Sequence, residues 1–328
     1  MKCLRNIGMS PLETRDDALI DVLYNVKNIA IFQEDIYIGS GEQLIVWDKY
    51  GKFKRVLSKK GNDPQSYLHF NHFMIWPNGD LSIASPIEIV TYSNSHQFIN
   101  KKRCENVGYI EAITLLNDSL YIIKSMPTPE QLRYRIINHH TGAIINSYDS
   151  IINCNRYISS FTNSFERYEG HIISHGYQSN DILECTLDSS KIRYKINVDN
   201  RIPPAGFYTQ EGKEGMQLIQ EEAEKGYIGH IPDYVESKET ILLSFKGKRE
   251  DLNGIALIDK KDGNARVLEN IKFDDNFRWL PKQFFSLDEG WCAMLMYPED
   301  VLKKEEFARR FPGLDEESNP VLFIGKLR

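Results

Sequence analysis

No run of about 18 apolar residues occurs anywhere in this 328-residue sequence, so no stretch reads as a membrane-spanning helix. The opening, MKCLRNIGMSPLETRDDALI, lacks the apolar core of a secretory leader, and Cys3 follows only Met1 and Lys2, so no lipoprotein signal is read there. Basic residues are also in short supply. Forty Lys and Arg against 46 Asp and Glu leave a formal charge of -6, which argues against a general nucleic-acid binder. The cysteines are five (Cys3, Cys104, Cys154, Cys185 and Cys292), scattered and without a C-x-x-C pair. That pattern excludes a disulfide framework or a zinc finger and predicts buried or half-buried single thiols. Catalytic signatures are missing too: there is no G-x-S-x-G elbow, P-loop, H-E-x-x-H or post-strand G-x-G-x-x-G. The run DKKDGNARVLE (259–269) has the residue types of a calcium loop but not their order, and suits a hairpin turn better. No cofactor is expected.

What the sequence does contain is a repeat. QEDIYIGS (33–40), PNGDLSIAS (77–85), LNDSLYIIKS (116–125), YEGHIISHG (168–176), SKETILLSF (237–245) and LDEGWCAML (287–295) each open on a polar turn and run into a β-type strand. They recur at separations of about 40 to 70 residues, at or above the period of propeller blades. A second strand follows each: LIVWD, IEIVTY, LRYRIIN, ILECTLD, GIALID and VLFIGKL. Five then turn into a third, with Gly51, Gly142 and Gly263 where a tight turn needs positive φ. An apolar segment precedes the template run, as in NIAIF (28–32) and HFMIW (72–76). These strands, a to d, define an all-β fold: a six-bladed β-propeller of four-stranded antiparallel blades, spanning residues 1–328 as a single domain. The last blade lacks a d strand, and ALIDVLYNV (18–26) is spare at the start. Pairing 18–26 onto 321–327 is the expected closure, because it removes two open sheet edges.

Three stretches, IVWDKYGKFKRVLSKKGNDPQSY, WPNGDLSIAS and NPVLFIGKLR, resemble the TolB-like and NHL-like six-bladed propeller proteins of Bacteroidetes, a largely uncharacterised group. The likeness covers nearly the whole chain, but its motifs are structural. In that group the loop after the first D-x-x-G-F strand reads G-x-G-P-x-E-[FY]; here Gly61, Asn62, Asp63, Pro64, Gln65, Ser66 and Tyr67 stand there, without the second glycine and the acid. Members are commonly exported or lipid-anchored, so the resemblance implies a periplasmic or cell-envelope location.

Two segments interrupt the blades. Residues 211–226 are expected to be helical, with Met216, Ile219 and Ala223 on one stripe and Gly226 as the stop. Residues 299–311 form the second expected helix, opened by Pro298 and closed by Pro312-Gly313, with Val301, Lys304, Ala308 and Phe311 on a face. Both lie in d-to-a or b-to-c connections, which in an up-and-down blade emerge on the same side. Aromatic and cationic residues recur together in the d-to-a loops: Tyr67 and His69, Arg103 and Tyr109, Arg156 and Tyr157, Arg278 and Trp279. Such pairs suit binding hot spots for a protein, peptide or saccharide. Non-catalytic binding through that face is therefore the leading expectation. The alternative is a metal-dependent hydrolase, lactonase or lyase centred on the channel, with Asn71, His72, Glu111, Glu166, His230 and Asp233 on inner strands. His171 and His175 also share a strand face by their even spacing.

Overall fold

A computed structural model describes residues 3–20, 26–57, 59–104, 107–125, 132–150, 165–175, 180–198, 201–204, 206–210, 212–213, 215–273, 277–303 and 305–328. The first strand, β1 (Leu4–Pro11), belongs to the last blade. Blade one is β2 to β5 (Val26–Phe32, Asp35–Ser40, Gln43–Trp47, Phe53–Leu57), and blade two is β6 to β9 (His72–Ile75, Leu81–Ala84, Glu88–Tyr92, Phe98–Arg103). Blade three is β10 to β13 (Ile110–Leu115, Leu120–Ser125, Leu132–Asn138, Ile144–Ser150), and blade four is β14 to β17 (Glu166–Tyr168, His171–His175, Asp181–Cys185, Ser190–Lys195). Helix α1 (Gly215–Lys225) then precedes blade five, whose inner strand is broken into β18 (Ile228–His230) and β19 (Tyr234–Glu236), both paired to β20 (Thr240–Gly247). Blade five continues with β21 (Gly254–Asp259) and β22 (Ala265–Val267), and a small hairpin of β23 (Ile271–Lys272) and β24 (Arg278–Trp279) follows. Blade six is β25 (Phe284–Ser286), β26 (Trp291–Met296) and β27 (Val321–Leu327), with α2 (Pro298–Leu302) and α3 (Glu305–Arg310) between the last two. The fold is a six-bladed β-propeller, as the repeat predicts.

Contacts group the chain into two compact units, Met1–Lys59 with Asp233–Leu242 and Ala256–Arg328, and Lys60–Pro232 with Leu243–Ile255. In the first, Leu12, Ile29, Ile38, Ile45, Trp47, Leu295 and Leu322 build a core between the sheets. In the second, one core joins Met74, Trp76 and Ile89 to Ile113, Tyr121 and Ile123, and another joins Ile122, Tyr134 and Ile136 to Ile172, Leu183 and Cys185. Strand alternation explains both: successive side chains face opposite sides of a blade, so an apolar strand feeds a core on each side. Cys3, Cys104, Cys185 and Cys292 are buried, as expected of single thiols; Cys154 lies outside the described residues.

The closure differs from expectation in its strand. β1, not 18–26, pairs antiparallel with β27, in register from Leu4 opposite Leu327 to Pro11 opposite Val321. A shift between Arg5 and Gly8 breaks the alternation of β1, which hides it from a period-two search. Within 18–26, residues 18–20 are not strand and 21–25 lie outside the described residues; Val26 opens β2. Ala18 and Ile20 are buried as core filling, held by Asn319: its Oδ1 accepts from Ile20 N at 2.8 Å, and its amide donates to the carbonyls of Ala18 at 2.9 Å and Glu13 at 3.0 Å.

The inserted helices also differ in detail. Met216 is 74% exposed; α1 instead buries Leu218 and Glu222, one turn apart. The second insertion is two short helices, α2 and α3, that bury Val301 and Phe307.

One glycine ties the closing strand to blade one. Gly51 has φ +82°, and a Cβ there would strike the Pro11 carbonyl oxygen at the end of β1. Its own carbonyl accepts from Glu13 N at 2.7 Å. Gly51→Ala should therefore destabilise the protein by roughly 2–3 kcal/mol in urea unfolding. A change below about 0.5 kcal/mol would show that the turn and β1 can part without cost.

Candidate functional site

Two polar assemblies stand out within Lys60–Pro232 and Leu243–Ile255. The first is a loop surface beside blades two and three. The G-N-D-P-Q-S-Y turn closes through Gly61 N to the Tyr67 carbonyl at 3.0 Å and Ser66 N to the Asp63 carbonyl at 3.1 Å, and the Ser66 hydroxyl donates to the Asp63 carboxylate. The Ser66 hydroxyl first, and then the Gln65 N–H at 2.8 Å from the carboxylate, hold the Asp63 carboxyl below its usual range. Glu88 accepts from Leu68 N at 3.3 Å and pairs with Lys101 at 3.4 Å. The d-to-a loop is pinned to the b-to-c turn by Cys104 N to the Ile87 carbonyl and Ile110 N to the Pro86 carbonyl, both 2.8 Å.

On this scaffold Tyr109 is 40% exposed and donates its hydroxyl to Asn71 Oδ1 at 3.2 Å. The Asn71 amide in turn donates to the Ile110 carbonyl at 2.7 Å. His69 and Arg103 are exposed, and so is Ile87 on the adjoining turn. Tyr67, by contrast, is fully buried, edge-on to Phe70 at 5.8 Å. The pair in the other unit divides the same way: Arg278 is exposed, while Trp279 is buried against Phe273 and Phe323. Arg156 and Tyr157 lie outside the described residues. Exposure decides which member of a pair can meet a ligand, and no local pattern carries it.

The second assembly runs through the inner strands of blades three to five. Glu111 sits at a bulge in β10, where Ile110 faces Ser125 and Ala112 faces Lys124. Both carboxylate oxygens are shielded and lack a hydrogen-bond partner, and burial raises its pKa despite Lys124 and Arg133 nearby. Lys124 is fully buried, with its ammonium donating to the His175 carbonyl at 3.3 Å. Burial, then Arg133, acts against its charge, and Glu111 for it; the net direction is downward. His175 is buried with Nδ1 3.0 Å from the Ile231 carbonyl, and burial plus the Lys124 charge push it down to about 3. An imidazole that is neutral beside a carbonyl holds its proton on Nδ1. His230 is half-buried on β18; burial first, then His175, Lys246, Lys124 and Lys248, hold its imidazole well below the usual range.

The inner-strand residues named for a metal come from successive blades, two to five. His72 is buried with both ring nitrogens partnerless, Glu166 is buried on β14, and Asp233 is buried before β19. Among the described residues no three His, Cys, Asp or Glu side chains group as metal ligands. The lysines around His230 repel a cation. The His171 and His175 pair separates as well: His171 is exposed and 3.0 Å from Glu184, at the end of β15 away from His175.

Burial of His72, pushed down to about 4, and of His175 has a stability consequence. A histidine whose folded pKa is depressed binds fewer protons folded than unfolded, so stability falls as pH drops from about 6.5 toward the folded value. Glu111 and Glu222, both raised by burial, work in the opposite direction below neutral pH. His72→Leu should flatten the acid limb of a Tm-versus-pH curve between pH 7 and 4, by an amount of order 3 kcal/mol. A limb of unchanged slope would mean that His72 is solvated when folded.

The four-stranded antiparallel sheets define the protein as a six-bladed β-propeller. The chain belongs to the family described as a domain of unknown function, DUF4934, which matches residues 4–326. A candidate exported protein from Bacteroides fragilis NCTC 9343 is similar in structure, with a TM-score of 0.77 at 14% identity over 99% of this chain and 96% of that one. A member of the DUF4221 family from Bacteroides vulgatus superposes with a TM-score of 0.58 at 10% identity, covering 99% and 97%. Virginiamycin B lyase from Staphylococcus aureus matches with a TM-score of 0.50 at 11% identity over 88% and 82%. No curated protein matches the chain. At these identities the structures share a fold, that of uncharacterised Bacteroides propellers among others. No helix among the described residues is long and apolar enough to cross a membrane.

Proposed function

We propose that this protein is a non-catalytic binding propeller, recognising a peptide or saccharide through the loop surface of His69, Arg103 and Tyr109. The observation that carries the reading is Tyr109: a large ring left 40% exposed while its hydroxyl is held to Asn71. A pre-oriented aromatic loses little side-chain entropy on binding and offers stacking, and an exposed guanidinium on the same loop offers charge-assisted bonds. The exported description of the Bacteroides fragilis relative supports a place at the cell envelope, and the turn and strand motifs support a TolB-like or NHL-like kinship within the propellers. The reading also takes residues 1–328 as a single domain, which one calorimetric transition would bear out.

The test is a glycan array and a random-peptide display against the wild type, followed by Tyr109→Ala, Arg103→Ala and His69→Ala. Hits should weaken by about 1–3 kcal/mol in the Tyr109 and Arg103 variants, with melting temperatures nearly unchanged. Hydrogen exchange with a hit should protect 59–71 and 107–110. Hits indifferent to all three substitutions, or protection confined to the turns at Gly79 and Gly142, would overturn the reading.

A further inference from the structure

We propose that His230 and Lys246 on blade five, with Lys248 and Lys124 nearby, form a binding site for a small oxyanion, a phosphate or a carboxylate. None of these residues belongs to the loop surface of His69, Arg103 and Tyr109. β18 carries a bulge. Ile228 faces Gly247 and His230 faces Lys246, so Gly229 is an extra residue in β18. A Cβ at Gly229 would collide with the Tyr208 hydroxyl and press on Glu222 of α1, whose carboxylate accepts from that hydroxyl at 3.2 Å. The helix therefore packs onto the strand only where there is no side chain, and the bulge re-aims the next residue. That residue is His230, set directly across from Lys246.

Directly opposed side chains of an antiparallel pair lie close, and two like charges there are unfavourable. His230 escapes that cost by staying neutral, and neither side chain has a hydrogen-bond or ion-pair partner among the described residues. The surrounding charges are mostly of one sign. Lys246, Lys124 and Lys248 all act on His230. Arg133, which acts on Lys124, is 3.7 Å from Asp149. The acids are muted: Glu111 and Glu222 are both held toward the neutral form by burial, and Glu166 is buried in the blade between. Among the described residues half-buried Lys246 and exposed Lys248 have no ion-pair partner. An oxyanion would complete the set, accepting from the Lys246 ammonium and from an imidazole N–H.

The experiment uses full-length protein with 13C-labelled histidine and follows the His230 Cε1–H resonance by NMR. Sodium phosphate, sodium acetate and methyl glucoside are titrated separately at constant chloride-balanced ionic strength. A saturable shift of His230, without one at His139 or His140, is the expected result. Lys246→Met should raise the midpoint about ten-fold, while Lys246→Arg should keep it within about three-fold. Tighter phosphate than acetate assigns the phosphate class, and the reverse order assigns the carboxylate. Lys248→Met serves as a second variant, outside the β18–β20 ladder, should Lys246→Met misfold. A shift that is linear, that chloride reproduces, that methyl glucoside matches, or that the lysine variants leave unchanged would overturn the site.

Discussion

Deleting residues 1–11 should lower the melting temperature by about 10 °C and make the protein scatter light well below its melting point. The strand removed is β1, which pairs with β27 along its length and places Cys3 and Leu4 in the core. Losing the burial of Leu4 alone costs about 2–3 kcal/mol. The deletion also removes the bond from Arg328 N to the Cys3 carbonyl at 3.1 Å, and the Pro11 carbonyl from its place over Gly51. What remains is a bare β27 edge of apolar residues from Val321 to Phe323, an open template for pairing with another chain. Differential scanning calorimetry and static light scattering report both effects. A truncated protein that stays monomeric and melts within about 2 °C of the parent would mean that β1 is dispensable for closure.

Trp279→Ala should cost about 3–5 kcal/mol, whereas Arg278→Ala, one residue earlier, should change stability by no more than about 0.5 kcal/mol. The two residues form one short strand, yet only the indole is buried. It packs at 6.1 Å from Phe273 and 5.8 Å from Phe323, and Phe277 joins the group 5.3 Å from Phe323 and 4.3 Å from Phe307 on α3. Arg310 lies 5.4 Å over the Phe277 ring. The aromatic cluster thus fastens α3 to the hairpin of β23 and β24, and truncating its indole leaves a cavity that rigid rings cannot fill. Urea unfolding of both variants measures the contrast. Equal small effects would place Trp279 at the surface, available to a ligand.

Strand, turn and repeat count were legible because they are local. A strand needs only alternating or continuous apolar residues, and a hairpin needs a residue tolerant of positive φ, so DIYIGS, LSIA and WCAML could each be read alone. The expected b strands fall on β3, β7, β11, β15, β20 and β26. The helical interruptions were legible from caps and stops, though the break between Leu302 and Glu305 and the burial of Glu222 were not. A carboxylate can face inward only when a partner such as the Tyr208 hydroxyl arrives from elsewhere in the chain.

The number of blades, the order of the strands within them and the polar character of the inner strands follow from local sequence alone. Tertiary structure decided which strand closes blade six, because β1 is irregular along its own length and is specified by the partner β27 offers it. It also decided which member of each aromatic and cationic pair is exposed: Tyr67 and Trp279 are claimed by cores, Tyr109 and Arg103 are not. And it placed His230 opposite Lys246, a meeting set by a one-residue bulge at Gly229. Period-two patterns cannot foresee such a bulge, since a single inserted residue shifts every later side chain to the other face.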